Sequence, residues 1–123
     1  GMSPHYIPSA GQPGEIAAMS AQDAYAGYLS LLPEGAPNRI AARITARLMF
    51  YRPVREAARV KCPALIQICD RDTVAPGAAA DRAAARMPDA EVRHYDVGHF
   101  DIYHGEACKH ALADQVEFLK RRL

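Results

Sequence analysis

The sequence predicts an α/β domain built on a short parallel strand pair. Two features of its second half carry this expectation. ALIQIC, residues 64–69, is a mostly apolar run of strand length, the pattern of a strand covered on both faces. A helical run, a second extended run and a long amphipathic helix then follow in alternation, and strand–helix–strand reads most economically as two parallel strands joined by one right-handed crossover. The length fits one such unit: 123 residues, half of them apolar, suffice for one core but not for two.

Residues 1–14, GMSPHYIPSAGQPG, are rich in Pro, Gly and Ser and read as an irregular arm. Gly1 ahead of Met2 reads as a tag remnant before an initiator. Residues 15–59 read as a helical segment. Ser20 and Asp23 suit a capping pair, and Tyr25, Tyr28, Leu29 and Leu32 recur at helical spacing until Pro33-Glu34-Gly35 stops them. A second helix is expected from about Pro37, with Ile40, Ile44, Leu48 and Tyr51 on one stripe, and Pro53 opens a short third. The apolar residues Tyr25, Tyr28, Leu32, Met49, Phe50 and Tyr51 suit helix packing, or the lining of an apolar pocket. Arg43, Arg47, Arg52, Arg55 and Arg59 suit solvated faces.

Residues 60–123 form the third segment. After ALIQIC and the loop DRDTVAPG, the alanine-rich GAAADRAAARM is helical and ends at Pro88-Asp89. EVRHYDV is a more polar strand, nearer an edge. GHFDIYHGE is a loop. ACKHALADQVEFLKRRL is an amphipathic helix with Ala111 or Leu112, Val116 and Leu119 expected inward, and its basic end complements the helix dipole.

Charge and composition exclude several functions. Fifteen basic and fourteen acidic side chains are interspersed, which gives no footprint for nucleic acid. No apolar run is long enough for a membrane span, and no signal peptide is legible. Cys62, Cys69 and Cys108 are odd in number and form no CxxC pair, so reduced thiols and a cytoplasmic setting are expected, with Cys69 a small buried hydrophobe. His94, His99, His104 and His110 include no i, i+4 pair, so neither a metal nor a cofactor is expected.

Sites in open parallel sheets form at the carboxyl ends of the strands. One polar loop here carries Asp70-Arg71-Asp72, the other Gly98-His99, and neighbouring parallel strands would bring them together. A carboxylate bonded to one imidazole nitrogen fixes the tautomer and leaves the other nitrogen as a base. Gly98 is expected to supply backbone freedom for presenting His99.

These residues, Cys62-Pro63-Ala64-Leu65-Ile66, Cys69-Asp70-Arg71-Asp72-Thr73-Val74-Ala75-Pro76 and Gly98-His99-Phe100, resemble the C-terminal part of the α/β-hydrolase family. The resemblance covers about residues 60–123 and departs from the family's usual glycine at Cys69. It implies a partial α/β-hydrolase fold: a short parallel strand pair with crossover and C-terminal helices, plus N-terminal cap-like helices. It places the family's acid on Asp72, with Asp70 the less favoured alternative, and the family's histidine on His99. The implied parent reaction is hydrolysis of an ester- or amide-type bond. The nucleophile elbow, G-x-S-x-G, is not in this sequence: the serines are at 3, 9, 20 and 30, none in that pattern. The expectation is therefore a part of a hydrolase-like protein, inactive alone, whose nucleophile lies elsewhere. The alternative is a non-catalytic dimeric or partner-binding remnant of the fold. In either case the exposed edge of the ALIQIC strand calls for cover, by a homodimer, a missing N-terminal half or the N-terminal helices folding over it.

Overall fold

A computed structural model describes residues 3–123, so the Gly1-Met2 start lies outside the described residues. The chain forms two compact units, Gly1–Tyr51 and Arg52–Leu123.

The first unit holds β1 (Tyr6–Ile7), α1 (Ala24–Leu31), β2 (Ile40–Ala41) and α2 (Arg43–Leu48). The arm is not wholly irregular, because Tyr6 and Ile7 pair antiparallel with Ala41 and Ile40. Ile40 therefore belongs to a strand, not to the second helix, which is confined to residues 43–48. Asn38 explains the difference. Its side chain accepts from the Ala10 N–H at 3.0 Å and donates to the Ala10 carbonyl at 2.8 Å, imitating a strand partner and holding the preceding chain extended. Ala10 is fully buried there. α1 begins at Ala24, with Asp23 and not Ser20 at its N-cap. Met49, Phe50 and Tyr51 are 73%, 82% and 67% exposed, so they form no packing stripe. The five arginines from Arg43 to Arg59 are exposed, as solvated faces require.

The second unit is mixed α/β, with β3 (Ala64–Cys69), α3 (Ala78–Ala84), β4 (Ala90–Tyr95) and α4 (Gly105–Arg122). β3 and β4 pair in parallel, in continuous register from Ala64↔Ala90 to Cys69↔Tyr95. Two 3-10 turns, Pro53–Arg55 and Ala57–Arg59, pack against α3. Alternate side chains of β3 face opposite helices. Ile68 meets the start of α3 so closely that a Cβ on Gly77 would stand 2.4 Å from its Cγ2. Gln67 faces α4, donating to the Ala111 carbonyl at 2.9 Å and to the Tyr95 hydroxyl at 2.7 Å. Tyr95 in turn donates to Asp114 at 2.5 Å. The far end of α4 is tied to β4 by Arg121 and Arg122, whose hydrogen bonds lower the Glu91 carboxyl to about 2.

The core is thin. The buried side chains of this unit are Ala57, Ile68, Ala84, Phe100, Ala111 and Phe118. The rest of β3 is only half-buried, contrary to a strand covered on both faces, and Cys69 is half-buried too. α4 also turns a different face inward from the one its largest aliphatics suggest. Ala111 and Phe118 are buried, whereas Leu112, Val116 and Leu119 are 52%, 49% and 48% exposed. The Gln67 and Tyr95 hydrogen bonds select the smaller, more polar face, because a helix must come close for Gln67 to reach a main-chain carbonyl.

Candidate acid–histidine site

Parallel pairing puts the carboxyl ends of β3 and β4 on one rim, and the ladder extends past both strands. The Asp70 N–H donates to the Tyr95 carbonyl at 2.8 Å and the Arg71 N–H to the Val97 carbonyl at 3.1 Å. The Arg71 guanidinium then pairs with the Asp96 carboxylate at 3.0 Å and donates to the Asp96 carbonyl. Two loops far apart in sequence are thus joined at backbone level just before each delivers its polar side chain.

Those side chains are Asp72 and His99. Asp72 Oδ2 lies 2.6 Å from His99 Nδ1. Asp72 Oδ1 accepts from the N–H groups of Val74 at 2.8 Å and Ala75 at 2.6 Å, an Asx-type turn that locks the carboxylate. The Asp72 side chain is 9% exposed and that of His99 29%. Burial by itself pushes the Asp72 carboxyl up. The Ala75 N–H, His99 and the Val74 N–H outweigh it, so the group sits below its ordinary value and stays ionised at neutral pH. With Nδ1–H donated to Asp72, the neutral ring keeps a lone pair on Nε2. Phe100, buried behind the imidazole, meets it edge-on with ring centroids 4.7 Å apart.

Gly98 does not use the left-handed conformation expected of it; among the described residues positive φ occurs at Gly14, Gly35 and Gly105. The loop is shaped instead by Asp101, whose carboxylate accepts from the Gly98 N–H at 2.9 Å. Gly105, at φ +54, then turns the chain into α4.

Asp70, the alternative acid, serves another imidazole: its Oδ1 is 2.7 Å from His94 Nδ1, and His94 Nε2 is 3.4 Å from Asp81 on α3. The sequence reading missed this second pair. The strand parity of His94, which shares a face with Ile68, was the available signal. The turn donors of Val74 and Ala75 were missed as well, although an Asp in a loop readily bonds the backbone N–H two residues on.

His99 and Asp72 line a cavity of about 570 Å³ with Ile68, Cys69, Ile102 and Leu112 among its walls. Cys69 is no ready nucleophile. Burial pushes its thiol up, and the carboxylates of Asp72, Asp101 and Asp70 push it further. All three cysteines are free. Among the described residues no three His, Cys, Asp or Glu are placed to hold a metal, and no helix is long and apolar enough to cross a membrane.

No family model matches the chain. It is similar to a curated protein of Acinetobacter baumannii (strain MDR-ZJ06), the quorum-quenching protein AidA, with 44% identity over 123 residues, or 98% of this chain and 40% of that protein. The chain thus spans about two fifths of the length of the curated relative it matches.

Proposed function

We propose that Asp72 and His99 are the acid and general base of an α/β-hydrolase-like enzyme whose nucleophile lies outside these 123 residues. The carrying observation is the 2.6 Å contact from a carboxylate held by two backbone donors to one nitrogen of a cavity-lining imidazole. That arrangement does what a base needs: Asp72 fixes the tautomer and stabilises the imidazolium, and Nε2 takes the proton from an attacking hydroxyl or thiol. The parent reaction is hydrolysis of an ester- or amide-type bond. The quorum-quenching name of the relative is compatible with it, since hydrolysing a signal molecule would silence it.

The test is turnover of a p-nitrophenyl ester by the chain alone and with the part of the Acinetobacter protein that has no counterpart here, co-expressed. Activity is expected only in the combination, falling by roughly a thousandfold or more with His99→Ala. Activity of the combination that survives His99→Ala overturns the assignment.

A second reading, a non-catalytic association module, draws on the exposed Leu112, Val116 and Leu119. It expects a stable homodimer and a His99→Ala variant unchanged in every assay.

A further inference from the structure

Cys69 ends β3, Cys108 lies close to the start of α4, and both are free thiols lining the cavity that holds Asp72 and His99. Register puts them opposite each other. β3 and α4 run in opposite directions: Arg121 and Arg122, at the end of α4, bond Glu91, which pairs with Leu65 near the start of β3. Gln67 fixes where strand and helix meet. It donates to the Ala111 carbonyl at 2.9 Å and accepts from the Gln115 side chain at 2.6 Å. Alternation puts Cys69 on the same face of β3 as Gln67. Cys108, Ala111 and Gln115 stand at i, i+3 and i+7 and share one face of α4. From the Gln67 contact, two residues along the strand advance about 6.7 Å. Three residues back along the antiparallel helix cover about 4.5 Å. The two thiols therefore stand within about 2 Å of the same level, facing one another.

We infer that Cys69 and Cys108 are an oxidisable dithiol, a modification site at which a hydroperoxide closes an intrachain disulfide beside Asp72 and His99. Burial and the carboxylates of Asp72, Asp101 and Asp70 hold Cys69 in its thiol form, so Cys69 does not attack first. The Cys108 sulfur attacks the peroxide: an S–O bond forms, the O–O bond breaks, and water or an alcohol leaves with the thiol proton. Cys69 then attacks the Cys108 sulfenic acid: the S–S bond forms, the S–O bond breaks, and water leaves with the second thiol proton. Two thiols are oxidised and one peroxide is reduced. Proximity offsets the small thiolate fraction of Cys69 in the second step.

Cα atoms of β3 and α4 come within 8 Å of one another. A disulfide spans about 4.4–6.8 Å between Cα atoms, so closure draws the start of α4 toward the strand. The bond ties the strand that leads to Asp72 to the helix that follows the His99 loop, and it takes space from the cavity that both residues line. Oxidation thereby closes access to the imidazole, and reduction restores it. That consequence rests on the hydrolase reading; closure of the dithiol does not. Cys62, exposed and ahead of β3, is the internal control.

The test is peptide mapping of the unaltered chain after an equimolar dose of hydrogen peroxide and alkylation of the remaining thiols. A Cys69–Cys108 cross-linked peptide is expected, with Cys62 still alkylated and both bridged thiols recovered in dithiothreitol. Closure should quicken as pH rises, because Cys69 must ionise. The reduced chain should also bind phenylarsine oxide, a reagent for paired thiols. Cys62→Ser should keep that binding, and Cys108→Ser should lose it. The proposal is overturned by cross-links that run only through Cys62, by sulfinic acid at Cys69 or Cys108 without a bridge, or by arsenical binding that survives Cys108→Ser. In the co-expressed combination, peroxide should remove ester turnover and dithiothreitol should restore it, and Cys108→Ser should abolish this sensitivity. A bridged protein whose turnover is unchanged overturns the regulatory consequence. A reduced combination with no turnover is instead a failure of the hydrolase reading, and the peptide map still decides the dithiol.

Discussion

His99 Nδ1 and Asp72 Oδ2 stand 2.6 Å apart across 27 positions of sequence, and the same carboxylate accepts two backbone N–H groups. Removing it leaves three donors short of a partner. Asp72→Ala should therefore cost about 1–3 kcal/mol, the usual penalty for part-buried polar groups stripped of their acceptor. Urea unfolding monitored by circular dichroism measures it, and an unchanged midpoint would refute the locked geometry. Asp72→Asn tests the imidazole directly. Nitrogen-15 shifts of neutral His99 should report a proton on Nδ1 in the unaltered chain and a mixed tautomer population in the variant.

The lowered Asp72 carboxyl also sets an acid limb. Burial opposes ionisation, but the Ala75 N–H, His99 and the Val74 N–H prevail, so the folded value lies below the ordinary 3.8. A depressed folded value means stability that is complete above the unfolded value and disappears as pH falls through the folded one. The stability advantage of the unaltered chain over Asp72→Asn should thus be constant at neutral pH and shrink as pH drops below about 3.8. Melting temperatures of both proteins across the acid range decide it. An advantage that grows on acidification contradicts the sign.

His94 should show the opposite slope. The Asp70 hydrogen bond raises its value above 6.5 against a smaller opposing effect of burial, with help from the charges of Asp70 and Asp81. Its contribution is complete below 6.5 and lost as pH rises through the raised folded value. Relative to His94→Asn, the unaltered chain should melt higher at mildly acid pH, and the gap should close toward alkaline pH. Asp81→Asn should narrow the gap less than Asp70→Asn, since its contact is longer, 3.4 Å against 2.7 Å. Equal gaps at both ends of the range would exclude the three-residue link. The site is exposed, so the effect should be small and salt-sensitive.

What the sequence makes legible follows from how local the signal is. ALIQIC and EVRHY announce themselves because β-branched and aromatic residues bounded by Pro and polar turns have few other uses, and the structure has both strands paired in parallel. The meeting of Asp72 with His99 follows once the strands are parallel. The first unit was less readable, because its short strands depend on Asn38 bridging to Ala10 across 28 positions, a contact that no periodicity records. α4 shows a different limit. Its pattern offers two faces, one with Leu112, Val116 and Leu119 and one with Ala111 and Phe118, and apolar size favours the first. Hydrogen bonds from Gln67 to Ala111 and from Tyr95 to Asp114 decide for the second, and only the paired sheet reveals them.

Gly77 gives the last prediction, on how closely α3 must approach the strand that leads to Asp72. A Cβ at position 77 would stand 2.4 Å from Ile68 Cγ2, and Ile68 is buried, so the contact cannot be relieved by swinging a side chain into solvent. Gly77→Ala should cost about 1–3 kcal/mol by overpacking. The double variant Gly77→Ala with Ile68→Leu should recover part of this, since leucine lacks the offending methyl branch at nearly the same volume. Ile68→Leu alone should cost less than about 1.5 kcal/mol. A double-mutant cycle by urea unfolding gives the coupling directly, and simple additivity of the two changes would show that the close approach is not what position 77 demands of glycine. The same cycle read through the His99 nitrogen shifts should move in step with stability, because α3 and the Asp72 turn share the chain from Thr73 to Gly77.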